Sequence, residues 1–370
     1  VEPWACVEDA FRVTERRHLA AGGTLLLLAD APLDLTGLDL AAPSRLLAGG
    51  SWCPEGFTRV AIDTPTSPAF DDIIVGGADA ERVERIFPFL AQNGLMILAA
   101  TGARFGRDLT LPLGRIHYGN VRIATTTGAR PADALAAIPA NGELREGDHV
   151  NVIGAGGPMG VMAMVRAVAS SRAGALVEGG VRSRSRAEGL RQRVAPFAEA
   201  RGVDLRIFDP EREAPRGAVD YAFLMAPVAD LIPGLITDAA PGGIINLFAG
   251  IPDRVPCRLD LDAVVAKGLY FIGTSGSTLD DMRVVLGKVL DDQLDTDLSV
   301  GAISGMAGAI AGLEAVRDKT VAGKIVVYPQ LEDLPLILLE DLHRSHPQVA
   351  SLLRDGCWNR AAEAALLAGG

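Results

Sequence analysis

Residues 148–160 read DHVNVIGAGGPMG, which is a short apolar strand, a run of glycines and the start of a helix. Glycine lets the backbone turn sharply and approach a pyrophosphate closely, and the following helix offers N–H groups with a partial positive charge. The order is typical of the phosphate-binding corner of a dinucleotide-binding fold. We therefore predict that the cofactor contacts the following residues of the turn: Gly154, Ala155, Gly156, Gly157, Pro158, Met159 and Gly160.

The glycines align with the dinucleotide fingerprint G-x-G-x-x-G in two ways. If Gly154 and Gly156 are the first two glycines, Met159 stands where the third belongs. If the pattern begins one residue later, it reads Ala155-x-Gly157-x-x-Gly160, an accepted variant in some reductases. A glycine-rich strand-to-helix turn in another kind of α/β protein is the alternative to a cofactor site.

Length and composition favour an enzyme of sheets and helices. The 370 residues are enough for two domains, and 49% of them are hydrophobic, with 42 glycines. A net charge of −11 argues against a nucleic-acid partner. No apolar run approaches the roughly 18–20 residues that span a bilayer, so we expect no membrane partner. A small-molecule substrate is the predicted ligand.

The cysteines and histidines do not indicate a metal site. The four cysteines are far apart and form no C-x-x-C pair, and the five histidines are scattered. This cysteine spacing and the absence of a visible signal peptide favour a cytoplasmic protein.

Two segments of the chain share one order of features. Residues 93–128 and 242–276 each hold a glycine, an apolar strand, a loop, a second apolar strand and a Thr/Ser-Gly end. Each follows another strand, at residues 72–75 and 221–225. We predict an α/β fold of two tandem Rossmann-like units, each a doubly wound parallel sheet, with a helical C-terminal tail.

The first unit is predicted to be degenerate, because its opening strand at residues 24–30 leads into Ala31-Pro32-Leu33-Asp34-Leu35 and not into a glycine turn. The predicted boundaries are listed in chain order. They are residues 1–112 for the degenerate unit, 113–144 for a crossover strand and helix, 145–270 for the NAD(P)-binding Rossmann domain, 271–330 for the return segment of the catalytic domain, with a helix from Leu279 to Leu290, and 331–370 for the tail.

Four local matches occur in the order expected of one enzyme family. They are EPWAC at residues 2–6, the Gly-Asp and glycine-turn segment at 147–160, PGGII at 241–245 and TVAGKIVV at 320–327. In this order the chain resembles the medium-chain dehydrogenase/reductase family. The resemblance implies hydride transfer between a nicotinamide and the alcohol or ketone of a polyol or sugar phosphate.

Members of that family carry an N-terminal barrel that supplies zinc ligands and a proton relay, and it would precede Glu2 here. The resemblance makes Glu2, which is similar to a carboxylate near the catalytic zinc, a catalytic candidate, and zinc is expected only if such a barrel is present. His117, Tyr118 and Lys267 are the other proton-donor candidates, and their context favours structural roles. Two alternatives stay open: a zinc-free, quinone-reductase-like enzyme, and a non-catalytic dinucleotide-binding or scaffold protein.

The residues after the predicted second strand favour NADP over NAD. NAD sites usually place an acid at the end of this strand to bind the ribose 2′-OH. Here Gly180 or Val181 takes that position and Arg182 follows, with two further arginines, and arginine suits a 2′-phosphate. Glu178 would favour NAD if it pointed at the ribose.

Further cofactor contacts are expected at the carboxyl ends of the strands, where ligands bind in such sheets. These positions are Ala226, Phe248, Ala249 and Gly250. The resemblance places Thr274 and Ser275 near the nicotinamide. It also implies a homodimer that pairs through residues 269–272, but the copy at residues 121–124 could take that place within the chain, which predicts weaker self-association.

Overall fold

A computed structural model describes residues 2–61 and 70–369 of the chain. The strands in chain order are β1 (Thr24–Leu28), β2 (Arg45–Ala48), β3 (Thr58–Arg59), β4 (Phe70–Gly76), β5 (Leu90–Ala99), β6 (Leu109–Leu111), β7 (Arg122–Thr126), β8 (Val150–Ile153), β9 (Leu176–Gly180), β10 (Asp204–Phe208), β11 (Val219–Leu224), β12 (Ala239–Leu247), β13 (Cys257–Leu259), β14 (Tyr270–Ile272), β15 (Val300–Ser304), β16 (Lys324–Val327) and β17 (Ile337–Leu338).

The α-helices in chain order are α1 (Glu2–Arg12), α2 (Ala80–Ile86), α3 (Gly114–Tyr118), α4 (Pro131–Ala137), α5 (Pro158–Ser170), α6 (Arg184–Ala200), α7 (Ile232–Asp238), α8 (Leu261–Lys267), α9 (Leu279–Leu290), α10 (Ala309–Arg317), α11 (Leu342–Ser345), α12 (Pro347–Ala350) and α13 (Arg360–Ala368). None of these helices is long and apolar enough to cross a membrane.

The two repeats form two six-stranded parallel sheets with the same strand order. The first sheet is β3-β2-β1-β4-β5-β7 and the second is β10-β9-β8-β11-β12-β14. Counted within each repeat, both read 3-2-1-4-5-6, the order of a doubly wound dinucleotide-binding sheet. The predicted fold of two tandem Rossmann-like units is confirmed.

The first unit lacks the first crossover helix, as predicted. Residues 29–44, which join β1 to β2, are all described and contain no helix. In the second unit the equivalent connection is α5, which has 13 residues. Without a glycine turn and a helix N-terminus, the end of β1 offers no oriented N–H groups to a pyrophosphate.

Contacts divide the chain into two compact units that interleave its segments. One consists of Val1–Glu8, Leu144–Ala214 and Ser277–Gly370, and the other of Asp9–Glu143 and Pro215–Gly276. We call the former the turn unit, because it contains the glycine turn, and the latter the duplicate-strand unit, because strands of both repeats meet in it. Neither coincides with one of the two sequence repeats. The domain boundaries predicted from the sequence stay a prediction.

In the turn unit, α9 spans Leu279–Leu290 as predicted, because Thr278 and Asp281 form a capping box at its start. The tail holds the short helices α11, α12 and α13, irregular segments between them, and β17, which pairs with β15 in antiparallel fashion. Tail residues Leu339, Leu342 and Val349 are buried in one apolar cluster with Tyr328 and Trp358.

In the duplicate-strand unit, equivalent elements of the two repeats meet. Strand β6 pairs antiparallel with β13. The outer strands β7 and β14 lie against each other, and the Arg122 guanidinium donates to the Gly273 carbonyl at 3.1 Å. Glu15 receives bonds from Arg122 Nε at 2.8 Å and from the Tyr270 hydroxyl at 2.7 Å. A buried ion pair and a phenol therefore join the two edges.

Candidate functional site

The glycine turn has the backbone that the motif requires. Strand β8 ends at Ile153, and Gly154 follows with a φ of +88°, which a residue with a side chain rarely adopts. Gly157 caps α5, and Pro158 occupies its first turn, where a missing N–H costs nothing. The first N–H groups of α5 have no partner within the helix and point out of its N-terminus.

The packing of the turn decides between the two alignments of the glycines. A Cβ on Gly160 would lie 2.3 Å from the Gly154 carbonyl oxygen, so only glycine lets α5 pack against the turn. A Cβ on Gly157 would meet only that oxygen, at 3.6 Å, which leaves this position open to a ligand. Gly157 and Gly160 thus match the second and third glycines of the fingerprint, as in the alignment that begins at Ala155.

Glu178 lies inside the sheet and not at the end of its strand. It stands opposite Asn151 of β8 and Arg206 of β10, two residues before β9 ends. Its side chain is 0% exposed. Arg206 Nη1 lies 2.5 Å from one carboxylate oxygen, and His149 Nε2 lies 2.7 Å from the other. Each oxygen of this carboxylate therefore contacts a neighbouring side chain inside the protein.

Basic and hydroxyl side chains occupy the segment that follows β9. Arg182 is exposed, and its Nη1 lies 3.2 Å from Glu211 Oε1. Ser183 caps α6 by accepting a bond from the Arg186 N–H. A Cβ on Gly156 would lie 2.7 Å from Val181 and 3.1 Å from the Arg186 Cβ, so the glycine turn packs directly on this segment.

The remaining predicted contacts lie in the duplicate-strand unit. Ala226 follows β11, residues 248–250 follow β12, and Thr274 and Ser275 follow β14. The parallel registers Leu224↔Leu247 and Asn246↔Ile272 bring these strand ends to one edge. Thr274 is 6% exposed. Its Oγ1 has no hydrogen-bond partner among the described residues.

Glu2 begins α1 and is exposed. The Cys6 thiol, one turn along the helix, donates to Glu2 Oε1 at 3.2 Å. Burial lowers the pKa of Lys324, although the charges of Glu2 and Cys6 oppose that change. Across residues 2–61 and 70–369, no three His, Cys, Asp or Glu side chains are grouped as a metal site requires. A catalytic role for Glu2 stays a prediction.

The sequence context favoured structural roles for His117 and Tyr118, whereas the structure places both residues beside the predicted cofactor contacts. The His117 ring packs edge-on against Phe248, with 6.3 Å between centroids. A Cβ on Gly250 would lie 2.4 Å from the Tyr118 hydroxyl. The signal was the internal repeat: α3, which carries both residues, precedes β7 just as α8 precedes β14.

Comparison with known proteins supports the relationship that the motifs predicted. No protein-family model matches the chain. L-sorbose 1-phosphate reductase of Klebsiella pneumoniae is 30% identical over 155 residues, which are 40% of this chain and 36% of that protein. The match supports a relationship with an oxidoreductase of sugar phosphates, and the aligned part spans only about a third of that relative.

Solved alcohol dehydrogenases resemble about half of the chain. A cobalt- and zinc-bound thermostable alcohol dehydrogenase from Pyrobaculum aerophilum has a TM-score of 0.40 and 20% identity, covering 50% of this chain and 52% of its own. A putative zinc-binding dehydrogenase from Sinorhizobium meliloti 1021 bound to NADP has a TM-score of 0.39 and 18% identity, covering 50% and 53%. At such scores, the fold rests on the sheet topology itself.

Proposed function

We propose that the chain is an NADP(H)-dependent oxidoreductase of the medium-chain type. It acts between the alcohol and ketone forms of a polyol or sugar phosphate. The glycine turn carries this proposal, because it combines an open position at Gly157 with close packing at Gly160. A dinucleotide supplies hydride chemistry when bound, and the protein supplies binding and orientation.

The dinucleotide pyrophosphate fits the turn. Its charge suits the N-terminus of α5, and Gly157 presents backbone with nothing but the Gly154 carbonyl within 4 Å of its missing side chain. A side chain at Gly157 would occupy the space through which a phosphate approaches.

NADP is the preferred form in this proposal, with NAD as the alternative. Glu178 would have to leave Arg206 and His149 to reach a ribose, and uncoupling a buried ion pair typically costs several kcal/mol. Arg182 and Ser183 follow β9 directly, and a guanidinium with a nearby hydroxyl suits a 2′-phosphate.

The substrate class follows from the name of the relative, which reduces a sugar phosphate. We extend this only as a proposal, because the aligned part covers 36% of that protein. A cytoplasmic location is part of the proposal, since none of the four cysteines forms a disulfide.

A fluorescence titration with NADPH and with NADH tests the proposal. The variant Gly157→Ala should weaken NADPH binding about tenfold, equivalent to ~1.4 kcal/mol. The control Gly189→Ala makes the same change on α6, where a Cβ meets nothing within 4 Å, and should leave binding unchanged.

Tighter binding of NADH than NADPH would contradict the cofactor preference. Failure of both to bind would contradict the whole proposal. Binding without turnover on a panel of polyols and sugar phosphates would favour the non-catalytic alternative, and turnover of quinones or enones without zinc would favour the quinone-reductase-like one.

A further inference from the structure

Two polar atoms without partners lie at the carboxyl ends of β12 and β14. They are His117 Nδ1 and Thr274 Oγ1, both buried and without a hydrogen-bond partner among the described residues. Buried polar atoms in native proteins are nearly always satisfied, so an exception at a predicted ligand position needs an explanation.

The first repeat brings His117 to this place. The backbone of His117 lies against Gly273, because a Cβ on that glycine would lie 3.2 Å from the His117 Cα. Thr274 is the next residue. In the β12–β14 register Asn246 pairs with Ile272, and Phe248 and Thr274 each come two residues after this pair. Phe248 in turn packs against the His117 ring.

The orientation of the imidazole defines what it can bind. Burial lowers the pKa of His117, and a hydrogen bond with the backbone of Leu247 opposes that shift only in part, so the ring is neutral near pH 7. Since Nδ1 has no partner, Nε2 is the nitrogen that donates to Leu247. Nδ1 is then left as a lone-pair acceptor.

We propose that His117 Nδ1 and Thr274 Oγ1 bind one hydrogen-bond donor of the ligand, either the carboxamide N–H of the nicotinamide or the hydroxyl of the alcohol substrate. Both sources share the chemistry of a neutral N–H or O–H group. This inference rests on the proposed function and assigns a ligand-binding role to a residue of the first repeat.

Two variants separate this role from simple packing. Glutamine at position 117 can keep the Nε2 donor to Leu247 but has no acceptor at the Nδ1 position, whereas asparagine can place its amide oxygen there. His117→Gln should therefore bind more weakly than His117→Asn. Thr274→Val removes the hydroxyl at nearly constant volume. The control is His343→Gln on the exposed part of the tail.

Binding is measured by fluorescence with NADPH and by competition with 2′-phospho-ADP-ribose, which lacks nicotinamide. If the donor is the carboxamide, His117→Gln and Thr274→Val weaken NADPH binding roughly tenfold and leave the fragment unchanged. If the donor is the substrate hydroxyl, NADPH binding is retained and calorimetry shows weaker binding of the polyol to the protein–NADP⁺ complex.

Unchanged binding of both ligands to Thr274→Val and His117→Gln overturns the inference and leaves the proposed function standing. No binding of NADPH to the unaltered chain overturns the proposed function and this inference together. If His117→Gln has a lowered melting temperature, Thr274→Val decides alone, because it leaves the imidazole and its bond to Leu247 in place.

Discussion

Replacing Glu178 by glutamine tests whether this carboxylate holds the sheet together or binds the cofactor. Glutamine has nearly the same shape but no charge, so it removes the ion pair to Arg206 and the carboxylate that bonds His149 without opening a cavity. Arg206 keeps Glu213, at 2.6 Å, as a second partner. Removing one partner of a buried ion pair costs about 3–5 kcal/mol. The remaining Glu213 contact places the expected loss at the lower end, about 3 kcal/mol.

The assay is thermal unfolding, followed by titration with NADPH and NADH. With roughly 2–4 °C per kcal/mol for domains of 150–250 residues, Glu178→Gln should lower the melting temperature by about 6–12 °C. The control Glu188→Gln removes an exposed carboxylate that lies 2.7 Å from Arg191. Exposed pairs contribute at most about 1 kcal/mol, so its melting temperature should barely change.

The cofactor titration separates the two roles of Glu178. We expect Glu178→Gln to bind NADPH and NADH in the same ratio as the unaltered chain, measured below the melting temperature of the variant. A selective loss of NADH binding with an unchanged melting temperature would refute the reasoning, because it would mean that the carboxylate reaches the ribose.

Four further results are expected. Gly160→Ala should lower the melting temperature, since its Cβ would lie 2.3 Å from a backbone oxygen of the turn. Arg182→Ser should weaken NADPH binding more than NADH binding in the fluorescence titration. Burial, with the charges of Asp295 and Glu363, raises the pKa of Asp297 to about 6. Its folded-state pKa lies above the unfolded value, so stability falls as pH rises from about 4 to 6, and thermal unfolding of Asp297→Asn should show less of this decrease. Sedimentation should show weak self-association, because β7 already lies against β14 within the chain, and a tight dimer would contradict this.

The architecture could be predicted because it depends on features that are local in sequence. A strand, a glycine turn and an apolar helix occupy 21 consecutive residues, from Val150 to Ser170. The repeat then indicated a second sheet of the same kind. The missing helix after β1 followed equally from local sequence, since Pro32 comes soon after the strand and no glycine turn follows it.

The role of Glu178 could not be predicted because it depends on where β9 ends. An end at Glu178 would set the carboxylate beside a ribose, whereas the observed end at Gly180 leaves it between two neighbouring strands. Its partner Arg206 lies 28 residues away in a strand whose register the sequence does not state. Strand ends predicted from a sequence are commonly wrong by two residues, and here that difference decides whether Glu178 lies beside a ribose or inside the sheet.

The structure explains why a degenerate repeat is useful. The first unit lacks the glycine turn and the helix that a cofactor needs, but it keeps the parts that face the second repeat: β6, α3 and β7. Strand β6 pairs with its counterpart β13, β7 lies against β14, and α3 carries His117 to the end of β12. A separate second chain could make such contacts only by binding, to an extent that depends on its concentration. In this protein the two repeats are part of one chain, so their effective concentration for each other is fixed. Without a glycine turn, the first repeat therefore has no cofactor site of its own. It keeps the surface that carries His117, on which the proposed ligand contact of His117 and Thr274 depends.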